Sequence, residues 1–575
     1  MSDNDANRPS IHARFVQERR ALLEEGREFA LEYPEAARLL DPDQVDDRDP
    51  YVERLVDGFT FLTARSREAA LAEEDGLTGH LLELLMGPLE QPLPAVTVIQ
   101  LDPFRMREGE VVVEKGTILV PSDKRTADCR FSATETTVLD HMFVRDAKVE
   151  TGDQGSARLD LSLGWNSSRT PETWPDRIRI FLHGDAPVVW SLRYGLTCRQ
   201  ARCEVQTPSG GWIASSQVRF ERHDAPGYGE DAAGSSPLAD ARDFLCCDER
   251  FRFVELRGLG TVPVAENPVI SIRIHFDGSF PRGMSRAVSA DNFRLHCLMS
   301  VNRYLESCQT LSWEHDRSEK VLRPLGPPTR EVLDVSGVDG LTQSHPVRTI
   351  RYRRFSAYRH AQSGQRYFQI HRRTDVNGKP LVGLTVGHPD PSHPFEAEYL
   401  SPEAICCDGN RPNEAVPPFA PLSANPPLPE RATAFTLTRP SPLHRPAPRI
   451  SPLNRLLAFA SGHFQGLLDA RRMRDALRQF LWDPAEAKRL IVDSLQEITH
   501  STEYVTRLGV SRPVLHVSIR LRDTTCAPDT WDRLGLLDAY ASILHRIARD
   551  QTPIGAGCRT TVVVEPSGAT LEHVD

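Results

Sequence analysis

The hydrophobic positions of this chain change period twice, and the changes divide it. In the first ninety residues the period is helical. Phe15, Leu22 and Phe29 recur every seven residues, with Val16, Leu23 and Ala30 beside them, and Pro34 ends that helix. The next segment, DPYVERLVDGFTFLTARSREA, sets Val52, Leu55, Phe59, Leu62, Ser66 and Ala69 at spacings of three and four, which keeps one seam facing a neighbour. A third helix, LTGHLLELLM, stops at Gly87-Pro88. Two neighbours remain open for the seam. The helices can fold back as an intramolecular bundle, or they can project and pack against another chain. The acidic connection DPDQVDDRDP and the placement of Phe59 and Phe61 on different faces favour projection.

Past Pro92 and Pro94 the period falls to two. From Val96 to about Ile370, runs such as VTVIQL, EVVVEKGTILV, RIRIFLHG, FRFVEL and VISIRIHF alternate with turn clusters, and in RIRIFL and SIRIHF arginines stand between isoleucines. Antiparallel, sandwich-like sheets are expected, with no room for the crossover helices of a parallel sheet. APGYGEDAAGSSPLADA reads as a mobile surface loop. In RYFQIHRRTDVNGKPLVGLTV, Asn377-Gly378 between two strand-like runs predicts a hairpin. The proline-dense stretch from Pro412 to Pro452 predicts an extended linker. After it the pattern is helical again, with a break near Gly462. LHVSIRL, a helix near Thr530 to Ala548 with Leu534, Leu537, Ala541, Leu544 and Ala548 on one stripe, and TTVVVE then give strand, helix, strand. The fold class is therefore α+β and multidomain. Its expected parts are a helical assembly segment (1–92), β-rich domains (93–325), a β domain with the Asn377-Gly378 hairpin (326–411), the linker (412–452) and a small α/β domain (453–575).

Composition adds exclusions. At 575 residues the chain exceeds one hydrophobic core. A net charge of -10, spread over that length, gives no global attraction to nucleic acid or acidic lipid, so any such site must be local. No run reaches the roughly 20 apolar residues of a membrane span, and the N-terminus lacks signal-peptide order, so a cytoplasmic location is expected. Eleven cysteines without a CxxC read as reduced thiols.

The common catalytic signatures, GxSxG, GxxxxGK[ST], HExxH and GxGxxG, are absent. The nearest approach to a metal set is His388, Asp390, His393, Glu396 and Glu398 in GHPDPSHPFEAE, where prolines prevent a helix that would align the imidazoles; a solvated turn is expected, with no metal and no cofactor. PVRTIRYRRFSAYRHAQSGQRYFQIHRR carries eight arginines, five aromatics and no carboxylate. That mixture suits phosphate or nucleic acid, but Arg351 and Arg353 alternate with Ile350 and Tyr352 as on a half-buried strand. Strands whose arginines, Arg353 and Arg354 among them, are exposed or meet acidic protein groups are the expectation.

Six stretches in order resemble the TssF (VasA/ImpG) family, baseplate subunits of the bacterial type VI secretion system. FVQERRALLEEGREFALEYPEAARLL with DPYVERLVDGFTFLTARSREAA is similar to that family's opening helices, and HLLELLMGPLEQPLPAVTVIQL to its third helix and the strand after it. GTILVPSDKRTADCRFSATETTVL resembles its Gly-Thr turn, hairpin and Cys-Arg-Phe. LHCLMSVNRYLESC, with Cys297 and Asn302, RFSAYRHAQSGQRYFQIHRR, with Phe368 in place of the usual Trp, and LSPEAICCDGNRP complete the order. The resemblance implies a structural wedge component, without catalysis, in which two copies join one TssG-like subunit around a VgrG-like spike, with TssK-like and TssE-like subunits attached. It implies no nucleic-acid partner and no direct membrane insertion. Phe15, Leu22, Phe29, Val52, Leu55, Phe59, Leu62, Arg353 and Arg354 are the candidate partner-facing residues. Two other classes stay open: a β-sandwich hydrolase acting on carbohydrate, and an anion or nucleic-acid binder using residues 348–373.

Overall fold

The computed structural model describes residues 11–33 and 54–67, isolated positions up to 89, and 91–574 apart from internal stretches, the longest of them 447–465, 356–364, 389–397 and 229–235. The chain forms two compact units. One comprises 1–90 with 447–462, and the other 91–446 with 463–575.

In the first unit, the helix Ile11–Glu32 and a helix over residues 54–67 are described. Val52, the DPDQVDDRDP connection and most of LTGHLLELLM lie outside the described residues.

The second unit is built around a closed six-stranded barrel, Val96–Asp102, Cys297–Val301, Phe131–Ala133, Ile118–Pro121, Pro421–Asn425 and Thr433–Thr436 in ring order. Its interior holds Ile99, Leu101, Leu119, Phe131, Leu298 and Leu422. The expectation of a linker over 412–452 fails here, because this stretch supplies the last two staves. Leu101 pairs with Ala434 and Val120 with Ser423. The prolines are compatible with these strands because the strands are short and Pro421 opens the first one, where a missing N–H costs little.

The expected alternation is observed. In Val269–Phe276 every second residue is buried, and Arg273 stands on the wetter face against Asp160 at 3.1 Å. That strand lies in a five-stranded antiparallel sheet, and Arg177–Leu182 in a four-stranded one. A further sheet of eight strands includes the predicted hairpin, Tyr367–Thr374 against Pro380–Gly387, whose turn residues are outside the described ones. It also contains one parallel pair, Arg353 to Tyr367 and Arg354 to Phe368, which the antiparallel expectation did not include. The expected surface loop divides: Ala225 and Tyr228 are buried, and Pro237–Cys246 is a helix.

At the C-terminus, Val510–Arg522 and Gly557–Glu565 pair in parallel with the helix Trp531–Asp550 between them, and Leu495–Arg507 and Ala569–Val574 flank them antiparallel. This is the expected α/β arrangement, yet its helix is not self-contained. It packs on the helices Ala186–Cys198 and Pro237–Cys246 from the middle of the chain. Gly535 permits the approach, since a Cβ there would stand 2.1 Å from the Trp190 carbonyl oxygen. Polar groups cross the same junction. Asp538, fully buried, accepts from Arg193 Nη1 at 2.7 Å and from Arg222 Nε and Nη2 at 3.0 and 2.7 Å. Arg546 bridges Asp224 at 2.7 Å and Asp240 at 2.9 Å, and Arg250 joins Asp240 at 2.9 Å to Asp243 at 2.6 Å.

Candidate assembly site

The 54–67 helix turns an unexpected face inward. Thr60 and Ala64 are buried, whereas Leu55, Phe59 and Leu62 are 71%, 66% and 64% exposed. Small residues explain the choice, because they let backbones approach. Thr60 also returns its hydroxyl to the Val56 carbonyl at 2.7 Å and so needs no outside partner. Ion pairs Arg19–Asp57, at 2.9 Å, and Arg67–Glu18, at 2.6 Å, join this helix to Ile11–Glu32. On the latter, Phe15 is half-buried, while Leu22 and Phe29 are exposed. Large apolar side chains at helical spacing thus stand in solvent together, which is the composition of a docking surface.

Four arginines of the segment are paired with carboxylates inside their own sheet. Arg351 donates to both oxygens of Asp339 at 3.0 and 2.8 Å, and Arg354 to both of Asp334 at 3.0 Å. Arg372 reaches Asp334 as well, at 3.4 Å. Arg366 pairs with the fully buried Glu398, to which Tyr352 also donates. Glu398 is therefore a charge partner within the sheet. Asp390, His393 and Glu396 lie outside the described residues. The Arg353 side chain is exposed.

Three of the quoted motifs meet in space. The Asp408 carboxylate, buried, accepts from Asn302 Nδ2 at 2.6 Å, from Tyr304 OH and from the Arg130 backbone N–H at 3.3 Å, while its own N–H donates to Asn302 Oδ1 at 2.7 Å. Arg130 and Arg330 converge on Glu306 at 2.9 and 2.6 Å. Gly409 turns the chain with φ +62°, and Arg411 just beyond it pairs with Asp128 at 2.6 Å. Cys-Arg-Phe, Cys-x-x-x-x-Asn and Cys-Asp-Gly-Asn-Arg are thus the two sides of one seal between the barrel and the eight-stranded sheet. Nothing local in the sequence joins Asn302 to Asp408. Asp538 carries a better sequence signal, because with His545 it falls on the stripe of Leu534 and Ala541.

Catalytic geometry is not evident among the described residues. A groove of about 640 Å³, lined by Ile118, Arg130, Tyr304 and Ile405 among others, has no carboxylate, histidine or cysteine in its wall. A second cleft, of about 390 Å³, does contain imidazole–carboxylate pairs, His296–Asp140 at 3.3 Å and His223–Glu255 at 3.2 Å. Glu255 is also engaged by Arg257 at 2.8 Å, and burial pushes the Cys297 thiol in that wall up to about 12, where it is no nucleophile at neutral pH.

Residues 8–546 match the family described as type VI secretion system, TssF. The chain belongs to the TssF family. It is 23% identical to the type VI secretion system component TssF1 of Pseudomonas aeruginosa, over 88% of this chain and 89% of that protein. Its fold matches a chain of a type VI secretion system TssK-TssF-TssG baseplate subcomplex, with a TM-score of 0.73 at 19% identity, over 91% of this chain and 98% of the other. It also matches a chain of a type VI secretion baseplate complex, with a TM-score of 0.61 at 19% identity, over 98% of each. For a TssF-family chain, the Asp408 seal is the physical content of motifs that a sequence alone shows only as an order of residues. No helix among the described residues is long and apolar enough to cross a membrane.

Proposed function

We propose that this TssF-family chain is a non-catalytic wedge component of a type VI secretion baseplate, and that its N-terminal helices are the surface through which it joins a TssG-like subunit. The observation that carries the reading is the row Leu55, Phe59 and Leu62, which is exposed although the same helix buries Thr60 and Ala64. Family membership supports the baseplate assignment, and the similar folds come from assemblies containing TssG and TssK. On this reading a second copy, a TssK-like adaptor, a TssE-like sheath initiator and a VgrG-like spike complete the surroundings, and the wedge works from the cytoplasmic side of the envelope.

The test is Phe59→Asp in protein co-expressed with its TssG-like subunit. Because Phe59 is two-thirds exposed, the variant should keep its unfolding temperature within a degree or two, while affinity purification loses the TssG-like subunit. Burying a charge in place of a phenyl ring at an interface costs at least about 2–3 kcal/mol, more than thirtyfold in affinity. Retained partner binding together with a large loss of stability would place the row in the chain's own core and sink the proposal.

A further inference from the structure

The barrel strand Val96–Asp102 changes character along its outward stripe. Ile99 and Leu101 belong to the barrel interior, while Val96 and Val98 cluster outside it with Phe181 and Phe253 of the four-stranded sheet. The next two residues of the outward stripe, Gln100 and Asp102, are polar and half-buried, and they stand in the wall of a third cleft, of about 260 Å³. Three phenylalanines share that wall. Phe435 is the register partner of Gln100 on the neighbouring stave, Phe143 comes from the five-stranded sheet, and Phe104, 61% exposed, has its ring centroid 5.5 Å from that of Phe143. Phe419, more than half exposed and 6.2 Å from Phe435, carries the apolar rim onto the surface. The polar groups of the wall are unequally used. Gln100 donates Nε2 to the Leu295 carbonyl at 3.3 Å, which settles the orientation of its amide, and its Oε1 is buried with no hydrogen-bond partner among the described residues. The Asp102 carboxylate accepts the Phe104 N–H at 2.9 Å, and no cation among the described residues pairs with it. The cations of the wall are committed elsewhere. Arg294 gives Nε to the Asp291 carbonyl at 3.0 Å and Nη2 to its carboxylate at 2.8 Å, and His296 Nε2 lies 2.9 Å from the Met142 carbonyl and 3.3 Å from Asp140.

We infer that this cleft takes an arginine side chain presented by a segment of another protein. The argument is complementarity of charge and shape. What the wall leaves open is one carboxylate and one buried amide oxygen among phenyl rings, and a guanidinium has the planar array of donors to meet both acceptors while its face lies on a ring. An ammonium is a compact, strongly hydrated charge without that flat face. A neutral apolar side chain would dry the site and leave both acceptors unpaired. The volume falls below the roughly 300–1,000 Å³ of sites for drug-sized ligands, which suits a single long side chain, and the exposed rings of Phe104 and Phe419 offer contact to the segment that carries it. The cleft lies wholly within the larger unit, so the inference stands whether or not the N-terminal row binds a TssG-like subunit.

The test is photo-crosslinking of the full chain with p-benzoylphenylalanine in place of Phe104, in cells that carry the whole secretion assembly. The crosslinked peptide, identified by mass spectrometry, should come from another protein and hold an arginine at or beside the crosslinked residue. Asp102→Asn keeps an acceptor for the Phe104 N–H and removes the charge, so the melting temperature should be unchanged while the crosslink yield falls about tenfold. Replacing the partner's arginine with glutamine should lower the yield as much. In the purified complex, an excess of N-acetylarginine amide should compete with the crosslink, and the uncharged isostere N-acetylcitrulline amide should not. No crosslink, a crosslink into this chain or a second copy of it, or a partner segment without arginine would overturn the inference. So would an Asp102→Asn yield within about twofold of the wild type, because the carboxylate would then have no part in binding.

Discussion

Replacing Asp538 with alanine removes the centre of the junction between the C-terminal helix and the middle of the chain. The carboxylate is fully buried and accepts three N–H bonds from two guanidiniums, with His573 Nε2 a further 3.5 Å away. Arg193 is fully buried too, and the next carboxylate to it, Asp224, stands at 3.9 Å. The substitution therefore leaves a buried cation without its close partner, a loss of about 3–5 kcal/mol. In a chain of two units and several sheets a local readout is more specific to this junction than a global midpoint. Hydrogen exchange of the Leu537 to Leu544 amides reads the opening of this helix directly, and the loss corresponds to exchange faster by about 10²- to nearly 10⁴-fold. Arg193→Met should cost less, because Arg222 still holds Asp538. Arg193→Met with Asp538→Leu should recover much of the protection, since an apolar pair of similar volume avoids desolvating the ions. Acceleration below tenfold in Asp538→Ala would refute the reasoning. The pH dependence has a definite sign. Burial alone would raise the Asp538 carboxyl, but Arg222, His573 and Arg193 outweigh it and hold the group well below the usual carboxylate range. Its contribution is complete above the unfolded-chain value of about 4 and is lost only as pH falls below that.

Gly535→Ala should destabilise the same helix, by about 1–3 kcal/mol in its hydrogen exchange, although alanine is normally favoured over glycine in helices by about 1 kcal/mol; the added Cβ would meet the Trp190 carbonyl at 2.1 Å, and an unchanged or slower exchange would contradict the packing. Asp408→Ala should cost about 3 kcal/mol, read as a lowered urea midpoint for the barrel, because Asn302 and Tyr304 are left as buried donors, and it should be strongly non-additive with Asn302→Ala. Burial pushes the thiols of Cys129, Cys203 and Cys297 up to about 12. The folded state holds these protons after an unfolded chain has released them near pH 8.5, so their stabilisation is whole below that pH and declines toward pH 12, by about 1.4 kcal/mol per pH unit per thiol. Melting temperatures between pH 8 and 10.5 should fall in the wild type and fall less when all three are alanine.

What was legible in the sequence was what is local. The period-two runs became half-buried strands, Asn377-Gly378 lies between two paired strands, and strand, helix, strand at the C-terminus became a parallel pair around Trp531–Asp550. What was not legible depends on partners far along the chain. A proline-rich stretch reads as a linker until Leu422 and Ala434 are seen paired with Pro121 and Leu101, three hundred residues earlier, to close a barrel. The seam on the 54–67 helix shows the same limit on a shorter scale. Periodicity marks one face as apolar, yet the face that packs is chosen by how closely backbones can approach, and Thr60 and Ala64 won over Leu55 and Phe59.

That choice bears on how the chain divides its work. Within the larger unit, the costly groups sit where distant segments join: Asn302 to Asp408, 106 residues apart, and Arg193 to Asp538, 345 apart. A buried carboxylate with two or three donors tolerates little displacement, because each donor it loses is left unpaired in a dry site. An oily junction of the same area would slide more readily. Charge at both seams therefore favours a body whose barrel, eight-stranded sheet and C-terminal helix keep one registration. In the other unit, Leu55, Phe59 and Leu62 stand exposed. Large apolar side chains left on the outside at helical spacing have the character of a surface that another protein can cover.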